Sequence, residues 1–256
     1  MRSTGSQGEA EGTPATPPHA ASRLLIEHVT PAIDGGRYPI KRILGEACEV
    51  GADILRDGHD VLTGRIVFRG PGDRTWHHAP LTYDYERDRW SGAFRPTRIG
   101  RWTYTIEAWT DRFGTWQHTL ATRLDAGRDV RLDLLEGAAL LAAAAQHATG
   151  KARATLTRAA DKIGCCDLAP QERAALARHD DLVALVPVHL PPDDLTRHAR
   201  ELSVVVDRER ARCAAWYKMF PRSQGCVPGC PGTLVDAARR LPALAALGFD
   251  VVYLPP

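Results

Sequence analysis

Residues 216–256 read WYKMFPRSQGCVPGCPGTLVDAARRLPALAALGFDVVYLPP, and their order decides the fold. An apolar-aromatic run at 216–220 leads into a Gly/Pro-rich loop, an amphipathic stretch at 233–247 and a second apolar run at 249–254. In the amphipathic stretch Leu234, Ala238, Leu241, Leu244, Ala245 and Leu247 form the expected buried stripe, and Gly248 is placed to stop the helix. Both flanking runs are almost continuously apolar, as strands of a parallel sheet covered on both faces are. The pattern is a parallel β-α-β unit of the kind that opens a (β/α)8 barrel.

Working outward, residues 202–207 (LSVVVD) are a β-branched run standing alone after a helical region. A lone strand needs a sheet, so it is expected to return to an upstream sheet, with the helices inserted before that sheet's last strand. Those helices are expected at 129–149, with Leu132, Leu135, Ala139 and Ala142-Ala143 at helical spacing, at 151–163, and at 170–186 with Pro170 in the first turn. Pro187, Pro191 and Pro192 interrupt, and a short helix at 193–200 follows. Short connections between helices of this length predict an antiparallel bundle.

From Leu24 to about Thr122 the period is two, with turn chemistry at Asp34-Gly35-Gly36, Asp57-Gly58 and Gly70-Pro71-Gly72. In the clearest strand, 101–111, Trp102, Tyr104, Ile106 and Ala108 share one face. An immunoglobulin-like β-sandwich is expected. Residues 1–22 are poor in large apolar side chains and are expected to be a disordered tail. The predicted organisation is a sandwich at 23–128 and 201–208, an inserted helical bundle at 129–200 and the start of a barrel at 209–256, which as a two-strand piece is truncated.

Composition excludes some partners. With 33 basic and 31 acidic residues the net charge is +2, so no single-sign field calls for nucleic acid or a membrane surface. The first twenty residues lack a signal-peptide core and no run of about 18 apolar residues occurs, which predicts a cytoplasmic protein. Cys226 and Cys230 are separated by three residues without a second Cys or His pair at zinc spacing, and His77 and His78 point to opposite faces of a strand, so no metal site and no cofactor is expected.

Five of the six tryptophans, Trp76, Trp90, Trp102, Trp109 and Trp116, fall in the β region, where they serve packing or carbohydrate contact. Trp109 and Trp116 are the better carbohydrate candidates, because alternation puts Trp109 opposite the core face. Asp84, Glu86 and Asp88 read as a solvated loop. Asp236 belongs to the helix, and Asp250 to the amino end of the second strand, the stability end of a barrel. Arg222, Ser223 and Gln224 follow the first strand's carboxyl end, where an Arg can reach a phosphate or a sugar hydroxyl or else serve the turn.

Several strings carry a resemblance. Tyr217-Lys218-Met219-Phe220-Pro221-Arg222-Ser223, Gly232-Thr233 and Val252-Tyr253-Leu254-Pro255-Pro256 resemble the first β-α-β of the α-amylase superfamily. Upstream, Ile26-Glu27-His28-Val29-Thr30-Pro31, Asp34-Gly35-Gly36-Arg37-Tyr38-Pro39, Asp57-Gly58-His59-Asp60 and Val206-Asp207-Arg208-Glu209-Arg210 resemble the N-terminal region of the bacterial α-1,4-glucan:maltose-1-phosphate maltosyltransferases. Two departures are Lys218, where the pattern has Glu, and Pro231, where it has His.

The resemblance implies an enzyme that moves maltosyl units from α-maltose 1-phosphate to the non-reducing end of an α-1,4-glucan, releasing phosphate, as a homodimer formed through its N-terminal domains. It also implies that the catalytic carboxylates sit on later barrel strands, so no catalytic residue is assigned here and this 256-residue portion is expected to be inactive alone. The alternatives are another α-amylase-superfamily enzyme, a branching enzyme or an α-amylase, and a non-catalytic glucan-binding or dimerisation module.

Overall fold

The computed structural model describes residues 23–165 and 167–255, and the tail expected at 1–22 lies outside the described residues. Alternation writes two sheets. The first has the order β1 (Leu24–Thr30), β3 (Cys48–Arg56), β7 (Arg89–Phe94) and β6 (Thr82–Asp84), all antiparallel. The second has the order β2 (Ile40–Ile43), β10 (Leu202–Asp207), β8 (Gly100–Thr110), β4 (Leu62–Arg69) and β5 (His77–Pro80).

The inward faces of the two sheets share one apolar core. Val50, Ala52 and Ile54 of β3 and Phe94 of β7 meet Ile66 of β4, Trp102, Tyr104 and Ile106 of β8, and Val204 and Val206 of β10. A Val, Ile or Phe side chain fully buried in this way contributes roughly 1.5–3 kcal/mol. As the alternation predicts, Trp102, Tyr104, Ile106 and Ala108 are all buried. The strand expected at 202–207 does return to the second sheet, between β2, to which it is parallel, and β8, to which it is antiparallel. Its register sets Val204 opposite both Ile40 and Trp102.

The β period ends earlier than expected. Residues 112–125, read as part of the β region, are helix α1 (Arg112–Asp125), whose N-cap Asp111 accepts a hydrogen bond from the Gly114 amide at 2.9 Å. The Thr and aromatic content of the segment imitates a strand. Its buried residues, Phe113, Trp116 and Leu120, nevertheless fall at the i, i+3, i+7 spacing of a helix.

Helices α2 (Arg131–His147) and α3 (Gly150–Gly164) lie close to their expected places, but the face of α2 does not. Leu132 is 80% exposed and Leu135 is also exposed, whereas Leu134, Leu141 and Ala144 are buried. Apolar residues surround this Ala/Leu-rich helix on several sides, so spacing alone does not choose the stripe. The single helix expected at 170–186 is two, α4 (Pro170–Ala177) and α5 (Asp180–His189). The break comes at His179, whose ring nitrogen caps α5 by accepting from the Asp181 amide at 3.4 Å. Pro187, expected as an interruption, lies inside α5 near its end. Helices α1 to α5 share a second core that includes Phe113, Trp116, Leu141, Leu156, Ile163 and Val186.

The short helix expected at 193–200 is replaced by β9 (Thr196–Arg197), which pairs with Glu107 and Ala108 of β8. β10 pairs only with residues 100–104 of that strand, so β9 occupies the edge left open farther along.

In the closing stretch β11 (Trp216–Lys218) and β12 (Val251–Tyr253) are parallel, with Tyr217 opposite Val252. The helix expected at 233–247 is broken into α6 (Leu234–Ala238) and α7 (Leu241–Ala246), because Pro242 supplies no backbone donor and restarts the helix in its own first turn. Its start is as the sequence implies: Thr233 and Asp236 exchange side-chain-to-amide hydrogen bonds at 2.9 and 3.3 Å. The expected buried stripe is not. Only Leu244 of its members is buried, together with Met219 and Ala237, and Leu247 is 74% exposed.

Candidate functional site

The candidates drawn from the sequence separate in space. Trp116, a carbohydrate candidate, is 4% exposed inside the helical core, and its Nε1 donates to the Asp133 carbonyl at 2.6 Å. Its ring lies where a Cβ on Gly137 would stand, so Gly at that position is a packing requirement. Trp116 is therefore a core residue. Of the two roles open to it from sequence, packing holds, and it does so because 112–125 is helix rather than strand.

Trp109 is half-buried. The Arg65 guanidinium covers its ring at 5.3 Å, and a recess of only about 110 Å³ beside it is walled by Pro187, Pro191 and Pro192. Arg65 in turn pairs with Glu107 at 2.8 Å, Glu107 with Arg197 at 3.4 Å, and Trp76 is held between Arg197 and Arg69 at 4.6 and 4.3 Å. This outer face of the second sheet is a self-satisfied ladder of cations, carboxylates and indoles.

In the closing unit, Arg222, Ser223 and Gln224 form a 3-10 turn after β11, with the Ser223 amide donating to the Phe220 carbonyl at 3.0 Å and the Gly232 amide to the Arg222 carbonyl at 2.8 Å. Lys218 sits over the rings of Phe220 and Tyr253 at 5.6 and 5.7 Å, while Pro231 stands in the exposed loop before α6. Asp236 completes the α6 capping box with the N-cap Thr233. Asp250 accepts from the Ala215 amide at 3.0 Å and pairs with Arg210 at 3.1 Å, so it ties the connector to the start of β12. His77 faces Asp73 at 3.4 Å and stacks near Phe68, whereas burial first and the Arg65 charge second hold His78 below the ordinary imidazole range.

The structure brings together a different set. Between β3 and β4 the turn Asp57-Gly58-His59-Asp60 bends back, with Gly58 at φ +102°. Facing it, the hairpin of β6 and β7 sets Tyr83 opposite Trp90 and carries Tyr85 at its tip. Tyr83 stacks edge-on against Tyr85 with centroids 4.7 Å apart and leans on Trp90 at 5.4 Å. Tyr85 itself is 88% exposed. The groove between turn and hairpin has a volume of about 680 Å³, and His118 of α1 is among its lining residues.

Its charges are mostly negative and individually anchored. Asp53 pairs with Arg89 at 3.0 Å, Asp57 with Arg23 at 3.7 Å and Asp60 with Arg56 at 3.3 Å, while the Tyr83 hydroxyl donates to Asp88. That hydrogen bond to a carboxylate holds the Tyr83 phenol above its usual range. Asp84 accepts from the Glu86 and Arg87 amides at 3.0 and 3.3 Å, which shapes the hairpin tip. Asp88, read from sequence as part of a solvated run, lines the groove, while Asp84 is committed to the hairpin tip.

At Arg56 and Asp60 the groove meets a second recess of about 360 Å³, bordered by Thr119, Glu136, Asp193 and Asp194. Asp194 accepts from the Thr110 amide at 2.9 Å and hydroxyl at 2.6 Å, and Arg56 reaches it at 3.0 Å. Burial alone would raise the Asp194 carboxyl; these bonds outweigh it and hold the group below its usual range. Arg56 Nε is buried without a hydrogen-bond partner. Among the described residues no group of three or more His, Cys, Asp or Glu side chains is arranged to hold a metal ion.

Comparison with known proteins gives these features a family. Residues 22–208 match the family model for α-1,4-glucan:maltose-1-phosphate maltosyltransferase, domain N/S. The chain belongs to this family. It is 41% identical over 239 residues to the maltosyltransferase of Myxococcus xanthus, an alignment covering 91% of this chain and 36% of that protein. Against maltosyltransferase 1 of Streptomyces coelicolor it is 38% identical over 259 residues, covering 96% and 37%. The Mycobacterium tuberculosis relative is 36% identical over 264 residues, covering 91% and 37%. The chain thus spans a little over a third of the length of the curated relatives it matches. The family that matches is that of the maltosyltransferases, not one of branching enzymes or α-amylases. Among the described residues, no helix is long and apolar enough to cross a membrane.

Proposed function

We propose that the chain is the N-terminal portion of a retaining maltosyltransferase that transfers maltosyl units from α-maltose 1-phosphate to the non-reducing end of an α-1,4-glucan and releases phosphate. The match of 22–208 to domain N/S carries this reading. In it, the two sheets of β1 to β8 and β10 are an immunoglobulin-like sandwich. Helices α1 to α5 are an inserted bundle that begins at Arg112 rather than at 129, because α1 packs in the helical core. The parallel pair β11 and β12 with α6 and α7 is the opening of a (β/α)8 barrel.

Retention of configuration calls for two carboxyl groups about 5–5.5 Å apart, one a nucleophile and one an acid that becomes the base. The carboxylates near β11 and β12 are committed to structure, Asp236 as a cap and Asp250 as a tie. The catalytic pair is assigned to later strands, and the described portion supplies scaffold and surface. Homodimerisation through the N-terminal units and a cytoplasmic location belong to the same proposal, and sedimentation of the chain addresses the first.

The deciding experiment is phosphate release from α-maltose 1-phosphate with maltoheptaose as acceptor. Release is expected from a longer chain carrying the remaining strands, and none above a buffer control from the 256-residue chain. A longer chain that consumes no α-maltose 1-phosphate overturns the reading.

A further inference from the structure

We propose that Cys226 and Cys230, in the loop that joins β11 to α6, are a modification site: a dithiol that closes on oxidation into an intramolecular disulfide and locks the loop. The disulfide is independent of the proposed function. Only the meaning of its place, beyond the carboxyl end of β11 where a barrel builds its catalytic loops, rests on that reading.

The loop is doubled back so that the two cysteines stand at its neck. The Cys230 amide donates to the Val227 carbonyl at 3.1 Å, closing a turn with Pro228 and Gly229 at its centre and Gly229 at φ +81°. Pro followed by Gly is the pair that a turn with positive φ at its third residue calls for, and such a turn brings its first and fourth Cα atoms within about 7 Å. Behind the turn the two arms touch. The Gly232 amide donates to the Arg222 carbonyl at 2.8 Å, and a Cβ added to Gly225 would stand 2.6 Å from the Cys230 carbonyl oxygen. A Cβ added to Gly232 would fall 2.3 Å from the Gly225 nitrogen, so glycine at both positions is what permits the approach. Cys226 therefore lies between two residues, Gly225 and Val227, that are each held against Cys230. Such a position suits a disulfide, which spans about 4.4–6.8 Å between Cα atoms.

Both side chains are exposed free thiols, so a soluble oxidant reaches them with the fold intact. The neck exists before oxidation, and closure has little left to order. Arg239, at the end of α6, approaches the Cys226 sulfur at 4.0 Å, so a locked loop is also tied to that helix. The reaction is exchange with a small disulfide such as glutathione disulfide. The thiolate of one cysteine attacks a sulfur of the oxidant, whose S–S bond breaks and releases one thiolate. The thiolate of the other cysteine then attacks the protein sulfur of the mixed disulfide, the intramolecular S–S bond forms and the second small thiolate leaves. The protons given up by the two cysteines go to the two released thiolates, so two protein thiols are oxidised as one small disulfide is reduced.

The test equilibrates the reduced 256-residue chain with a series of glutathione to glutathione disulfide ratios, blocks free thiols with iodoacetamide and maps tryptic peptides by mass. Residues 223–239 form a single tryptic peptide that carries both cysteines. It is expected to become unlabelled and lighter by two hydrogens, at ratios roughly tenfold more reducing than the same chain needs in urea, because the folded neck holds the thiols together. Buried Cys48 should stay reduced. In Cys230→Ser, the glutathione adduct should stop at Cys226, with far-UV circular dichroism matching the parent. Amide hydrogen exchange over 223–232 should slow on oxidation and recover with dithiothreitol. Two free thiols in that peptide at every ratio, equal midpoints in folded and urea-unfolded chain, pairing of either cysteine with Cys165 or Cys213 instead, or unchanged exchange after oxidation each overturns the proposal. None of these outcomes touches phosphate release by the longer chain, so the two readings fail separately.

Discussion

The helical unit and the closing β-α-β unit are both written in apolar-rich code, yet they bury it very differently. In α1 to α5, Leu134, Leu141, Leu156, Ile163 and Val186 are wholly enclosed by neighbouring helices. In the closing unit Trp216, Leu234, Val235, Leu241 and Leu247 are exposed, and three residues form the buried cluster. A helix hairpin finds a second layer in its own neighbours, whereas two parallel strands and a broken helix leave most of their apolar surface unpartnered. Apolar content therefore tells where surface is to be buried, and only the number of layers tells whether it is.

Three measurements would break or sharpen that contrast. Leu141→Ala, at a fully buried site, is expected to destabilise the chain by about 2–5 kcal/mol in urea unfolding. A cost below that range would mean that the helical core is loosely packed. Thiol reactivity probes the same difference without mutation. Cys48 is buried in the two-sheet core, and its thiol is pushed up to about 11 by burial, with Arg42 opposing and Glu46 adding to the rise. Cys226 and Cys230 are exposed in the loop before α6. Iodoacetamide at pH 8 should label these two faster than Cys48 by roughly a hundredfold or more, as the lower thiolate fraction dictates, with peptide mass mapping as readout. Comparable rates would show the two-sheet core opening freely. The smallest effect belongs to Leu247→Ser. It should change unfolding free energy by less than about 0.5 kcal/mol while lowering self-association in sedimentation. A loss of several times that size would show that the closing unit has a second layer after all.

Much of this was legible in the residues. The two-residue period of β8, the isolated strand β10 and the helix start at Thr233 all depend on neighbours in sequence, and each stands where its pattern puts it. The misses have a common cause. Leu132 and Leu135 stand at helical spacing yet lie outside the core, because an Ala/Leu-rich helix has several equivalent stripes and only the packing of the other four helices selects one. Trp116 looked available for a sugar because Thr and aromatic residues in 112–125 share strand preferences, although Phe113, Trp116 and Leu120 already had helical spacing. The groove at Tyr85 was least legible, since it joins a turn at 57–60, a hairpin at 82–94 and His118. The available signal was the Tyr83-x-Tyr85 pair in an Asp/Arg-rich turn, which marks aromatic side chains where apolar burial is not on offer.

The position of β10 also sets an order of events. Val204 pairs with Ile40 and Trp102, so the second sheet lacks the strand that joins β2 to β8 until residue 207 has been synthesised. Helices α1 to α5, whose contacts are local in sequence, lie entirely before that point. On the ribosome the helical unit can therefore complete its core while the two-sheet unit waits open, with β2 and β8 exposed edge to edge, and the insertion of β10 between them is the step that commits the whole.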